Sequence, residues 1–111
     1  MANPSKQKGT AWETAVVRFL QQWWPHAERR ALKGAKDQGD LLGLPGVVVE
    51  CKNQNRLALG EWLDQTTAAQ ANAGAEVSVL VVKRRGKPNP EDAFWVFPGP
   101  VAVALLREWT R

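Results

Sequence analysis

The stretch GVVVECKNQN, residues 46–55, runs three valines directly into charged side chains. A run rich in valine predicts a buried strand, and such a strand normally ends before its charges begin. In a strand, residues i and i+2 point to the same face, so Glu50 and Lys52 project side by side. Cys51 then faces the other way, into the core. Two charges at this position predict a chemical role.

A second carboxylate precedes this strand. Asp40 begins a predicted short strand, residues 40–44, which a Pro45-Gly46 turn joins to the strand 47–52. In an antiparallel pair of this kind, Asp40 can approach Glu50 and Lys52. Neighbouring carboxylates repel each other unless a cation lies between them, and Mg²⁺ prefers a few carboxylate oxygens plus waters. The pattern therefore predicts a magnesium site.

Composition narrows the class of protein. A chain of 111 residues that is 44% hydrophobic suits one compact domain, and we expect a flexible basic tail over residues 1–9 and one domain over residues 10–111. The single His26 and single Cys51 exclude an internal disulfide and a His/Cys zinc site. Without a signal-peptide pattern or an apolar run of about 18 residues, we expect no membrane partner and a cytoplasmic location, in a bacterium or a phage-infected host cell.

Basic residues form two clusters in a chain of net charge +4. One cluster precedes the Asp40 strand: Arg29, Arg30, Lys33 and Lys36. The other follows a later strand: Lys83, Arg84, Arg85 and Lys87. Clustered cations favour a polyanionic partner, whereas the alternative is that they serve solubility on exposed loops.

Hydrophobic periodicity predicts a helix over residues 10–23, with Thr10 as its N-cap and Pro25 ending it. The remaining predicted elements are strands 28–33, 40–44, 47–52, 77–83 and 93–97 and helices 60–73 and 101–109, with turns or loops at 34–39 and 84–92. Gly74 has the position of a helix C-cap. The order α-β-β-β-α-β-β-α indicates an α/β fold in which the first three strands form an antiparallel meander.

Several polar and aromatic residues have two interpretations. Glu13 lies at the edge of the buried stripe of the first helix, about 20° from Leu20, and either reaches the site or only completes a capping box. Asp37 is better explained by an Asx turn than by catalysis. Among the six tryptophans, Trp12, Trp23 and Trp62 fit core stripes, whereas Trp24, Trp95 and Trp109 are candidates for partial exposure, base stacking or a dimer contact.

Glu13, then Gly39-Asp40, then Glu50-Cys51-Lys52 form a pattern that resembles the PD-(D/E)xK nuclease superfamily over residues 9–98. Within it, the Gly9-to-Glu13 spacing, the early basic cluster and the stretch NAGAEVSVLVVKRRG are similar to archaeal-type Holliday junction resolvases and their small phage-encoded relatives. The resemblance implies a restriction-endonuclease-like core with a mixed central sheet.

The resemblance also implies residue roles. Asp40 and Glu50 would be the main metal ligands, with the Cys51 backbone carbonyl as a further ligand, Lys52 serving the nucleophile or transition state, and Glu13 completing the acidic set. Gly39 replaces the proline of the PD pair, and the serine that those resolvases often carry before the aspartate is absent, which puts junction specificity in doubt.

Two glutamines of the second helix are accessory candidates. Gln70 lies on the apolar stripe by its angle, about 20° from Leu59 on the helical wheel. The resemblance instead favours Gln65, because related nucleases often carry a glutamine nearer the start of this helix. Both remain open.

The expected function is a Mg²⁺-dependent DNA endonuclease, with Mn²⁺ able to substitute. Its substrate would be branched DNA, foremost a four-way junction, whose two symmetric cuts imply a homodimer. The DNA contacts would come from Arg29, Arg30, Lys33, Lys36, Lys83, Arg84 and Arg85. The alternatives are a small nuclease acting on flaps or single-strand ends, and a non-catalytic nucleic-acid-binding module.

Overall fold

The computed structural model describes residues 3–31 and 36–111, so Lys33 and part of the predicted strand 28–33 and turn 34–39 lie outside the described residues. The helices are α1 (Pro4–Leu20), α2 (Leu59–Ala73) and α3 (Gly99–Trp109). The strands are β1 (Glu28–Arg29), β2 (Leu41–Leu42), β3 (Val47–Lys52), β4 (Val77–Val82) and β5 (Phe94–Val96). The predicted order is confirmed, with one short 3-10 helix, Pro90–Asp92, added before β5. The chain is an α/β fold.

Helix α1 begins earlier than predicted. The Asn3 side chain caps it by accepting hydrogen bonds from the backbone N–H groups of Ser5 and Lys6, and a proline at the first helical position suits this start. Thr10 lies inside the helix and is not its N-cap. The expected tail is therefore wrong for residues 4–9, which are helical.

The same helix ends earlier than predicted. Its last residue is Leu20, and the Leu20 carbonyl accepts hydrogen bonds from the N–H groups of both Trp23 and Trp24 in a closing turn. Trp23 thus leaves the buried stripe and is 59% exposed, so its assignment to the core is wrong. Trp12 and Trp62 are buried as predicted.

The sheet pairing differs from the predicted meander. Strands β1 and β2 form an antiparallel pair of their own, while β3 lies parallel to β4 and β4 antiparallel to β5. The ladder partner of β3 is thus β4, because β2 is only two residues long. A backbone hydrogen bond of 2.9 Å from the Asp40 N–H to the Val49 carbonyl still holds the start of β2 against β3.

The three-stranded mixed sheet has a different helix on each face. Val49 and Cys51 of β3 face a core shared with Trp12 and Val16 of α1. The alternate residues of β4, Leu80 and Val82, face a second core with Trp62 of α2. Strand β4 is therefore buried on both faces, as its continuous apolar run predicts.

Helix α2 ends at Gly74, which has the left-handed conformation expected of a C-cap.

None of the helices formed by the described residues is long and apolar enough to cross a membrane.

Candidate active site at the edge of strand β3

The turn before β2 sets the position of Asp40. The Asp37 side chain accepts a hydrogen bond of 2.8 Å from the Gly39 N–H, which confirms the predicted Asx turn. Gly39 has a φ of +100°, and a Cβ added there would lie 2.9 Å from Val48 Cγ1. Proline is held near a φ of −65°, so the proline of a PD pair does not fit this turn. A glycine at position 39 thus has a conformational reason.

Asp40 is attached to β3 at two points. Its N–H donates to the Val49 carbonyl, and its Oδ2 accepts a hydrogen bond of 2.7 Å from the Cys51 N–H. The carboxylate therefore lies along the free edge of β3, as the sequence predicts for a ligand beside Glu50.

Glu50 is the deeply buried member of the site, at 4% exposure. It lies in register with Leu80 of β4, on the sheet face that packs against α2. Its Oε1 atom is buried and has no hydrogen-bond partner within residues 3–31 and 36–111. A buried carboxylate oxygen without a partner is costly, and a bound cation is one way to satisfy it.

Both carboxyl groups hold their protons unusually tightly. Burial, followed by the charges of Asp40 and Asp37, raises the pKa of Glu50 to about 9. Burial also raises the pKa of Asp40 to about 6, although the Cys51 N–H and Lys52 oppose this. Closely spaced buried carboxyls behave in this way when no cation neutralises them.

Lys52 lies beside both acids, as predicted from the strand period. Its charge lowers the pKa of Asp40 and that of Glu50, but it is the smallest of the contributions to each. Lys52 thus favours the ionised form of Glu50, but burial outweighs its effect on the pKa.

The Cys51 side chain is buried in the α1 core, as expected, and burial raises the pKa of its thiol. The backbone carbonyl of Cys51 points to the edge of β3 that lies away from β4. The Lys52 carbonyl accepts a hydrogen bond from the Lys83 N–H, and successive carbonyls of a strand alternate in direction. The Cys51 carbonyl therefore points to the same edge as the Val49 carbonyl, where Asp40 lies.

Glu13 approaches from the other face of the sheet. Its charge raises the pKa of Asp40 and of Cys51, so it is near the site. Its Oε1 accepts a hydrogen bond of 3.1 Å from Arg29 Nε, however, and the two form an ion pair. Because α1 packs on the face opposite Glu50, Glu13 approaches the edge of β3 from that side. The capping-box interpretation of Glu13 is wrong, because α1 begins at Pro4.

Arg30 of the early basic cluster lies next to Asp40. The Arg30 N–H donates to the Asp40 carbonyl at 2.8 Å, which ties this arginine to the backbone of the site. Its Nε is buried without a hydrogen-bond partner among the described residues. Arg29 is exposed and forms an ion pair with Glu13. Lys36 is also exposed.

The second basic cluster lies beyond the end of β3. Lys83, Arg84 and Arg85 line one recess of about 420 Å³ together with Lys8 of α1. The position of Lys8 in this recess is not predictable from the sequence pattern, because it depends on the early start of α1.

The two glutamine candidates do not join the site. Gln70 accepts a hydrogen bond of 2.6 Å from the Ser78 hydroxyl and donates to the Ala75 and Glu76 carbonyls. Gln65 is exposed. Among the described residues neither glutamine hydrogen-bonds to Asp40 or Glu50, and Gln70 instead anchors the start of β4.

Asp37, the residue of the Asx turn, also lies near the two acids. Its charge acts on both Asp40 and Glu50 while its side chain also forms the Asx turn. The signal was its position three residues before Asp40, at the start of the tight turn.

Across the part of the chain that the structure describes, no group of three or more His, Cys, Asp or Glu side chains has metal-binding geometry. The oxygen groups that this edge offers to a cation are the carboxylates of Asp40 and Glu50 and the Cys51 carbonyl. This oxygen-only set, with the unpartnered Glu50 oxygen, fits Mg²⁺, which usually binds one or two protein carboxylates and keeps several waters.

Comparison of the chain with models of known protein families, with curated proteins and with solved structures found no match.

We predict that stability in metal-free buffer falls as pH rises between about 6 and 9. Folded Glu50, with a pKa of about 9, keeps a proton that the unfolded chain loses near 4.5, so the unfolded state binds fewer protons and the free energy of unfolding decreases with pH. The slope should approach about 1.4 kcal/mol per pH unit. Urea unfolding at pH 6, 7 and 8 with EDTA measures it.

Glu50→Gln should remove most of that slope, whereas Glu61→Gln, at an exposed glutamate of the first turn of α2, should keep it. An equal slope in wild type and Glu50→Gln would contradict the burial of an ionisable Glu50.

Proposed function

We propose that the protein is a metal-dependent DNA endonuclease that hydrolyses phosphodiesters, foremost in four-way junctions. The observation that carries the proposal is the pair of the half-buried Asp40 and the buried Glu50 at one strand edge, with an unpartnered Glu50 oxygen and Lys52 on the same strand face. A purely structural acid pair gains nothing from such burial, whereas a pair that receives a cation does.

The architecture is compatible with a restriction-endonuclease-like core. The mixed sheet lies between α1 and α2, and β3 carries the Glu-x-Lys residues on the α2 face. Asp40 precedes the short strand β2 and meets β3 through backbone hydrogen bonds. This arrangement supports assignment to the PD-(D/E)xK superfamily that the sequence resembles.

Asp40, Glu50 and the Cys51 carbonyl would hold Mg²⁺, or Mn²⁺ in its place. The bound ion would supply positive charge that favours the ionised carboxyls and polarises the scissile phosphate. Lys52 would donate a hydrogen bond to the attacking water or to the charge that develops on phosphorus oxygens. Arg30, tied to the Asp40 carbonyl, would orient the DNA backbone beside the site.

We expect Asp40→Asn and Glu50→Gln each to abolish cleavage, because each removes a ligand charge. Both variants should bind junction DNA at least as well as wild type in EDTA. Asp40→Asn removes negative charge that faces the phosphates, and Glu50→Gln replaces a carboxyl that burial already keeps protonated. Cleavage assays with Mg²⁺ on junction, flap and duplex substrates measure the first effect, and anisotropy in EDTA measures the second.

Asp64→Asn, at an exposed position of α2, is the control and should keep full activity. Mn²⁺ should raise the melting temperature of wild type and of Asp64→Asn but not of Asp40→Asn. Cleavage at near wild-type rate by either ligand variant would reject the site. A preference for flap substrates would favour the alternative of a nuclease acting on flaps or single-strand ends. DNA binding without any cleavage would favour a non-catalytic binding module.

Lys52→Ala should retain metal binding but lose turnover on the order of 10²-fold, as for other preorganised donors. The ligands remain in this variant, so Mn²⁺ titration by calorimetry should give an affinity close to that of wild type. Single-turnover cleavage gives the rate, with Lys6→Ala on the exposed start of α1 as the control. Full activity of Lys52→Ala would remove this lysine from the mechanism.

Paired cuts in a four-way junction require a two-fold dimer, and α3 offers a surface for it. Val101 of α3 is buried, whereas Leu106 and Trp109 are 63% and 89% exposed. With Leu105 they form one apolar stripe along the helix. A second copy of the chain is the proposed partner, because a stripe that packs against itself closes a two-fold contact.

Leu106→Glu should shift the protein from dimer to monomer in sedimentation-velocity experiments, because it places a charge in the stripe. Ala104→Glu, about 160° away on the same helix, should leave the dimer intact. A wild-type monomer at tens of micromolar, or equal effects of the two charges, would reject α3 as the interface.

A further inference from the structure

The recess beyond the end of β3 has properties that the cleavage site does not explain. It encloses about 420 Å³, a volume in the range of small-ligand sites. Its cations come from three parts of the chain: Lys8 on α1, Lys83 after β4, and Arg84 and Arg85 in the following turn. Of the described residues that line it, none is acidic. The recess therefore suits an anionic ligand.

Two walls of this recess are held in place by hydrogen bonds. Lys8 Nζ donates to Asn55 Oδ1 at 2.9 Å, which joins α1 to the segment after β3. Arg84 donates to the Asp92 carbonyl at 3.3 Å. The cations are thus partly preorganised, which lowers the entropic cost of binding.

An aromatic surface lies among these charges. Phe94 is 47% exposed in the recess, and the Arg84 guanidinium carbon lies 5.4 Å from its ring centroid. Leu57, also exposed, adds a second apolar wall. A simple phosphate would use the cations and leave this surface in water. A ligand with both an anionic and a flat apolar part would use both, and a nucleotide has both parts.

The recess is close to the proposed reaction site. Asn53, which lines it, follows Lys52 directly and lies three residues beyond Glu50, or roughly 10 Å along a strand. The Lys83 N–H is bonded to the Lys52 carbonyl at 2.9 Å. One DNA strand can therefore reach both places within a few nucleotides.

We infer that this recess binds one unpaired nucleotide of the substrate strand, an inference that rests on the proposed nuclease function. The backbone phosphate contacts Lys8, Lys83 and Arg85, and the base stacks on the Phe94–Arg84 surface. A base inside a duplex is already stacked on both faces and does not enter. The recess thus selects branched or single-stranded DNA over continuous duplex, without regard to sequence.

The test is fluorescence anisotropy in EDTA with labelled oligothymidine and with a duplex of equal length. Phe94→Leu keeps an apolar side chain but removes the ring, and should weaken single-strand binding roughly 10-fold with little change for duplex. Phe94→Trp restores a ring and should retain single-strand affinity. Trp23→Leu, at an exposed aromatic residue outside the recess, should change neither.

Equal affinity of Phe94→Leu and wild type for the single strand, or equal losses for single strand and duplex, would overturn the inference. So would a loss in Phe94→Leu that Phe94→Trp does not restore, because a structural role of the position would then suffice. The binding assay contains no divalent metal, so it is independent of cleavage. If the protein cuts junctions but Phe94→Leu has no effect on single-strand binding, only the inference about the recess is rejected. If Phe94→Leu has the expected effect but the protein never cuts DNA, only the proposed nuclease function is rejected.

Discussion

The attachment of Asp40 to strand β3 organises the candidate site. The Asp40 N–H reaches the Val49 carbonyl and its carboxylate receives the Cys51 N–H, so both ends of the residue are bonded to one strand. A carboxylate that accepts a short backbone hydrogen bond is held more firmly than one that contacts only water. The Asx turn at Asp37 and the glycine at position 39 form the turn that brings Asp40 to this place.

The two faces of the sheet carry different residues of β3. Cys51 and Val49 face the α1 core, whereas Glu50 lies on the α2 side beside Leu80. Glu13, carried by α1, therefore influences Asp40 at the strand edge while it pairs with Arg29. The edge of β3 is the place where side chains from both faces and the turn can meet.

Burial of acids at this edge carries an energetic cost that the folded chain alone does not offset. The raised pKa values of Asp40 and Glu50 mean that these carboxyls keep their protons at pH values where free carboxyls lose them. Lys52 reduces that cost only slightly. A bound cation would offset the cost, which is why this pair supports the proposed metal site. On the proposed nuclease function, the basic recess beyond β3 would contact the polyanion.

Local patterns in the sequence were enough to predict most of the elements. The valine run gave β3 with its bounds, the continuous apolar run gave β4, and Gly74 gave the end of α2, because periodicity and capping act over a few residues. The alternation of a strand also placed Glu50 and Lys52 together. Asp40 joined them because a short turn keeps chain neighbours close.

Tertiary structure decided what local patterns leave open. Both bounds of α1 are set by local contacts that helical periodicity does not reveal: Asn3 caps the helix before Pro4, and the closing turn after Leu20 leaves Trp23 exposed. The pairing of β3 with β4 and the commitment of Gln70 to Ser78 depend on residues distant in the chain. The sequence by itself therefore determined which charged residues lie next to each other along an element, because that depends on strand and helix periods. The sheet face and the partner of each charge came only from long-range packing, whose contacts no local pattern encodes.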